Sequence, residues 1–156
     1  MNNFIRRIFE NALIREESAH RLYTQLAKTA NNKIVKELFF KLAEEELVHY
    51  RLFSKMAVNV VKIVNEAPLH KLNLLNNFNQ NKLTCESCDE IKKAINFAIN
   101  EEQKAHDDYS VIAKHLDFGD GRDVLEEMAR QEMRHKLLLQ KVLEKMEKEN
   151  VAVFSN

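Results

Sequence analysis

Residues 16–23 read Glu-Glu-Ser-Ala-His-Arg-Leu-Tyr, and 86 positions later residues 102–109 read Glu-Gln-Lys-Ala-His-Asp-Asp-Tyr. The same shift, without a gap, carries Ala27 and Lys28 onto Ala113 and Lys114. It also carries Ala43, Glu46, His49, Leu52 and Lys55 onto Ala129, Glu132, His135, Leu138 and Lys141. The chain therefore contains one unit twice, over about residues 4–64 and 88–150. Two copies packed about a pseudo-twofold axis set equivalent residues face to face, so a linear repeat yields a symmetric central site.

Each copy has the periodicity of two helices. Apolar residues recur at three- and four-residue spacing from about Phe4 to Ala30, including Ile8, Phe9, Ala12, Tyr23 and Leu26. Asn31-Asn32 is a break, because asparagine tolerates a helix end and can cap the next helix. A second stripe runs from about Lys33 through Val35, Phe39, Leu42, Phe53 and Met56, and stops before Pro68. Ser87 and Glu90 form a capping-box pattern ahead of Ile91, Ile95, Ala98, Ile99 and Ile112. Asp117–Asp123 holds both glycines and reads as a turn, after which Val124, Leu125, Met128, Leu139, Val142 and Met146 mark a fourth helix.

Two glycines and one proline in 156 residues cannot supply the tight turns of a β-sandwich or barrel. The length fits one domain, residues 1–156, with four long helices. The stretch of about residues 65–87, with a short repeat at Leu69, Leu72 and Leu75, is a crossover. A helix of about 28 residues is about 42 Å long. Some 20 extended residues span about 66 Å, enough to cross the bundle and allow helices 2 and 3 to run parallel. Lys+Arg and Asp+Glu number 24 each, so no basic field favours nucleic acid or an anionic membrane. Arg6 and Arg7 interrupt the apolar core a signal peptide would need, and no apolar run is long enough to span a bilayer. A cytoplasmic protein is expected.

The repeated residues include the chemistry. Glu46 with His49, and Glu132 with His135, are three apart and share a helix face. Glu16 and Glu102 lie on the apolar stripes of the first and third helices, each 30 residues ahead of the Glu of its own pair. Four carboxylates in a bundle core are untenable alone, since each buried anion costs several kcal/mol. Two divalent metals cancel four negative charges, carboxylates bridge two ions, and an imidazole on each suits iron better than magnesium or calcium.

This pattern resembles the rubrerythrin-like branch of the ferritin-like superfamily over about residues 4–148. The resemblance is carried by residues 16–23, by Glu-Glu-Glu-Leu-Val-His at 44–49, by Glu-Glu-Gln-Lys-Ala-His-Asp-Asp-Tyr at 101–109 and by Arg-Gln-Glu-Met-Arg-His at 130–135. It implies an all-α ferritin-like four-helix bundle of two antiparallel hairpins with one long crossover between helices 2 and 3. It also implies metal ligation by Glu16, Glu46, His49, Glu102, Glu132 and His135, with Glu46 and Glu132 as bridges. The implied cofactor is two iron ions per chain, with manganese or zinc also compatible. The implied activity is reduction of hydrogen peroxide or dioxygen, fed by an external electron-donor protein such as a rubredoxin, in a homodimer.

Two departures from that family stand out. Peroxide-reducing rubrerythrins carry a further ligand Glu three residues after the first on the third helix, where this chain has Ala105. They also usually carry a four-cysteine rubredoxin domain, and this chain has Cys85 and Cys88 alone. Without the extra carboxylate the set is equally similar to the symmetric ferroxidase centre of bacterioferritins. Iron handling with Fe(II) as substrate is therefore an alternative, although Leu47 occupies the usual haem-ligand position. A non-catalytic bundle with a structural metal is a third reading.

His20 and His106, four residues past Glu16 and Glu102, are candidates for extra ligands or proton donors to peroxide, against a boundary role. Tyr23 and Tyr109 read as core aromatics whose hydroxyls need a partner. Cys85-Glu-Ser-Cys88 is half a zinc or rubredoxin site, a redox pair or an inert pair. His70 and His115 have no chemical company.

Overall fold

The computed structural model describes residues 3–63, 88–116 and 120–148, and their regular structure is four helices with no β-strand. These are α1 (Asn3–Thr29), α2 (Lys33–Ile63), α3 (Cys88–His115) and α4 (Asp120–Lys148). The Leu69, Leu72 and Leu75 repeat, His70, Cys85 and Ser87 lie outside the described residues, as does the side chain of Cys88.

Local chemistry accounts for the helix ends. Asn32 caps α2: its Oδ1 accepts from the backbone N–H of Ile34 at 3.0 Å and of Val35 at 3.2 Å. The link between α1 and α2 is thus three residues long, which enforces an antiparallel hairpin. The β-branched run from Val58 does not end α2, which continues to Ile63. Asp89 and Glu90 sit in the first turn of α3, where carboxylates complement the helix dipole. The turn read over Asp117–Asp123 is corrected at its far side, because α4 already starts at Asp120. Gly121 lies in its first turn with ordinary space for a Cβ, and Arg122 Nε donates to Glu126 Oε1 at 2.9 Å one turn on. A helix N-terminus tolerates glycine, so the second glycine is no turn signal here.

Two buried apolar clusters show how the hairpins meet. One joins Tyr23 and Leu26, Phe39 and Leu42, Ile91 and Ile95, and Leu139 and Val142. The other joins Phe9, Phe53, Tyr109 and Ile112, and Leu125 and Met128. The end of α1 therefore packs with the start of α3, and the start of α2 with the end of α4. It follows that α2 and α3 run parallel, so residues 64–87 connect opposite ends of the bundle. The six repeated Glu and His residues occupy the layer between the two clusters.

Phe53 anchors the second cluster, fully buried, with ring centroids 5.6 Å from Phe9 and 4.7 Å from Tyr109. Phe53→Ala should cost about 3–5 kcal/mol in urea unfolding of the metal-free protein. A cost below about 1 kcal/mol would show that this cluster is not packed as described.

Candidate metal centre

Helix periodicity delivers the six residues to one place. Glu46 and His49 project one turn apart from α2, Glu132 and His135 from α4, and Glu16 and Glu102 from the facing stripes of α1 and α3. Each is at most 4% exposed, and these six are the buried charged or polar residues among those described. The apolar neighbours leave them nowhere else to go. Glu16 follows Ala12 on its stripe, and Glu102 lies between Ala98 and Ala105.

The ligand atoms form two overlapping groups: Glu16, Glu46, His49 and Glu132, and Glu46, Glu102, Glu132 and His135, each with its atoms within 4.8 Å of one another. Glu46 and Glu132 belong to both, the arrangement bridging carboxylates require. His49 Nδ1 lies 2.7 Å from Glu132 Oε1, 3.3 Å from Glu46 Oε2 and 3.4 Å from Glu16 Oε2. His135 Nδ1 lies 2.7 Å from Glu46 Oε1, 3.3 Å from Glu132 Oε2 and 3.7 Å from Glu102 Oε2. The two imidazoles stack across the pseudo-axis with centroids 5.9 Å apart.

The donor set fits metal. With both Nδ1 atoms unprotonated, both oxygens of Glu16, one each of Glu46 and Glu132, and the two Nδ1 atoms themselves are buried without a hydrogen-bond partner among the described residues. Such orphans cost about 1–3 kcal/mol apiece, and more when charged, unless something binds them. The outward nitrogens are satisfied: His49 Nε2 donates to Gln131 Oε1 and His135 Nε2 to Glu45 Oε2, each at 2.7 Å. With the proton on Nε2, the Nδ1 lone pair faces the carboxylates, as ligation requires.

Without metal, protons must do part of the neutralising. Burial, reinforced by the charges of Glu132 and Glu46, holds the Glu16 carboxyl well above its usual range. Burial and the Glu46 charge do the same for Glu102. Burial also opposes charge on Glu46, but contacts with His135 and His49 win and take it down to about 2. Burial opposes charging the two imidazoles, yet the carboxylates around each Nδ1 prevail and raise both well above the ordinary histidine value.

Several further residues border the cluster. Tyr23 Oη donates a hydrogen bond to Glu102, whereas the buried hydroxyl of its counterpart Tyr109 has no partner among the described residues. His20 and His106 lie outside both ligand groups. Each is half-buried, with Nδ1 at 2.7 and 2.8 Å from the backbone carbonyls of Ala43 and Ala129, tying the helices of its own hairpin together. His115 is exposed against the carbonyl of Val111. A cavity of about 250 Å³ opens between α1 and α3, with Glu16, Glu46, Glu102 and Glu132 at its floor and Ala98, Ala105 and Phe97 among its walls. At its border Arg15 pairs with Asp108 at 2.9 Å and approaches Glu101 at 3.5 Å. Sequence reading did not single out Glu45, Gln131 or Arg15. The first two coincide under the 86-residue shift, each just ahead of a Glu-x-x-His, and that coincidence was the available signal.

After anaerobic Fe(II) loading and desalting, Glu46→Ala or Glu132→Ala should retain almost no metal, since each serves both groups. Glu16→Ala or Glu102→Ala should keep about half the wild-type content; equal retention in all four variants by metal analysis would refute the sharing. The raised groups, Glu16, Glu102 and both histidines, bind protons in the empty site that metal must displace. Loading in weakly buffered solution should therefore release protons, and affinity should fall as pH drops from 7.5 to 5.5. A pH-independent affinity by competitive titration would overturn this charge assignment.

The family model described as Rubrerythrin matches residues 7–80 and 93–156. No curated protein and no solved structure gives a significant match. No described helix is long and apolar enough to cross a membrane. With the matched segments covering most of the sequence and a bundle of two hairpins around a buried carboxylate and histidine cluster, the chain belongs to the rubrerythrin family.

Proposed function

We propose that the protein is a di-iron oxidoreductase that reduces hydrogen peroxide or dioxygen. The observation that carries this reading is the pair of four-ligand groups sharing Glu46 and Glu132 at the floor of a cavity. Glu16, Glu46, His49, Glu102, Glu132 and His135 would hold two iron ions, which when bound supply two electrons to an O–O bond. The chain's own part is access and protons. The cavity of about 250 Å³, with Ala98 and Ala105 among its walls, leaves room for a substrate as small as dioxygen or hydrogen peroxide. Reducing peroxide to two waters consumes two electrons and two protons. Tyr23 Oη, held against Glu102, keeps a proton at the cavity floor, whereas Glu16 gives up its own when metal binds. We assign electron delivery to a separate redox protein such as a rubredoxin, and the working assembly to a homodimer in the cytoplasm.

Ala105 favours a second reading. It is buried against the cavity where peroxide-reducing relatives would place another carboxylate, which leaves a more symmetric set suited to Fe(II) as substrate. Rapid mixing separates the two. Protein loaded anaerobically with two Fe(II) per chain is mixed with hydrogen peroxide or with air-saturated buffer, and ferric absorbance is followed. Oxidation at least tenfold faster with peroxide, without turnover of added Fe(II), supports the reductase. Faster reaction with dioxygen and repeated turnover of Fe(II) establishes iron oxidation instead. No ferric signal with either oxidant leaves a structural metal and refutes both.

A further inference from the structure

The duplicated halves differ where they back the two histidines. His135 Nε2 donates to Glu45, an anion; His49 Nε2 donates to Gln131, a neutral amide, although residues 45 and 131 are equivalent under the repeat. The amide orientation is fixed by its own network, because Gln131 Nε2 donates to Glu127 Oε1 at 3.1 Å and so presents Oε1 to the imidazole. A carboxylate accepting the outer N–H makes an imidazole a stronger metal donor than an amide does, and loss of such a partner commonly costs about 10–100-fold in metal affinity.

The next residues outward partly oppose this difference. Lys41 lies 3.9 Å from Glu45, and its equivalent under the repeat is Glu127, which polarises Gln131. Both are largely exposed, at 72% and 50% for their side chains, so water and salt screen them far more than the direct contacts to the buried rings. A second asymmetry has the same sense. Tyr23 holds one oxygen of Glu102 and leaves the other facing His135 Nδ1, whereas Glu16 faces His49 Nδ1 with Oε2 at 3.4 Å and neither of its oxygens has a hydroxyl partner among the described residues. The ligands around His135 are therefore better fixed in advance as well as better backed.

We propose that the two metal positions are unequal: the one formed by Glu46, Glu102, Glu132 and His135 binds a divalent ion more tightly than the one formed by Glu16, Glu46, His49 and Glu132, with Glu45 as the positioning residue responsible. This rests on the two-metal reading of the cluster, and the experiment separates the two claims. Two sequential binding steps in the wild type would not suffice, since the first cation repels the second even in a symmetric site. Co(II) affinity is instead measured by calorimetry in Glu16→Ala, which leaves the His135 position intact, and in Glu102→Ala, which leaves the His49 position intact. The Glu16→Ala protein should bind about 10–100-fold more tightly. Adding Glu45→Gln should remove most of that advantage while leaving Glu102→Ala within about threefold, and adding Gln131→Glu to Glu102→Ala should tighten it, a gain that misfolding cannot produce. Equal affinities of the two single variants, or equal weakening of both by Glu45→Gln, would overturn the inequality alone. Wild-type protein that fails to bind two Co(II) would overturn the two-metal reading as well.

Discussion

Everything in this bundle answers to one electrostatic constraint: four carboxylates lie in a layer that water barely reaches, between two apolar clusters that seal it above and below. Dispersed over the surface, these groups would cost nothing. Placed together in the interior, they repel one another and forfeit hydration, so the fold holds them only with compensating positive charge. Without metal, protons on the two imidazoles and on part of the carboxylates offset the deficit, and the oxygens and Nδ1 atoms that share those protons define where cations belong. The rest of the architecture serves that layer. Four parallel or antiparallel axes bring one carboxylate from each helix to a common height, and the aromatic packing of Phe9, Phe53 and Tyr109 closes one side while Tyr23 over Phe39 closes the other.

Much of this is legible in the residues themselves, because the repeat reports register as well as composition. Glu46 and His49 share a face by helix geometry alone, and an 86-residue shift that superposes both pairs and both stripe glutamates requires two equivalent hairpins. Helix ends were less legible where the signal was generic. Asn32 caps as its chemistry predicts, yet Gly121, which looks like a turn residue, is accommodated in the first turn of α4. The partners of the histidines were hidden for a different reason. Glu45 sits in the run Glu44-Glu45-Glu46, three like residues whose burial ranges from exposed to fully enclosed, and nothing local distinguishes the middle one. Its role depends on which residue of the other hairpin it meets, a property of the packing between copies rather than of either helix.

Duplication within one chain also explains how a symmetric plan acquires unlike halves. Were the bundle two identical chains, every residue near the axis would face its own copy, and a charged residue there would meet a like charge. Joining the copies by the crossover removes that restriction. Arg15 and Glu101 are equivalent positions under the repeat, and they approach each other at 3.5 Å beside the cavity; identical residues would repel, whereas the diverged pair attracts. His49 and His135, by contrast, stay identical and stack, because both must present Nδ1 inward. Divergence spares the six inner residues and touches those around them: Arg15 against Glu101, Glu45 against Gln131 and Lys41 against Glu127, and in the apolar clusters Phe39 against Leu125 and Phe53 against Leu139. The charge requirement fixes the six inner residues in both copies. The surrounding positions, freed from self-complementarity, are where one half of the site can be made chemically different from the other.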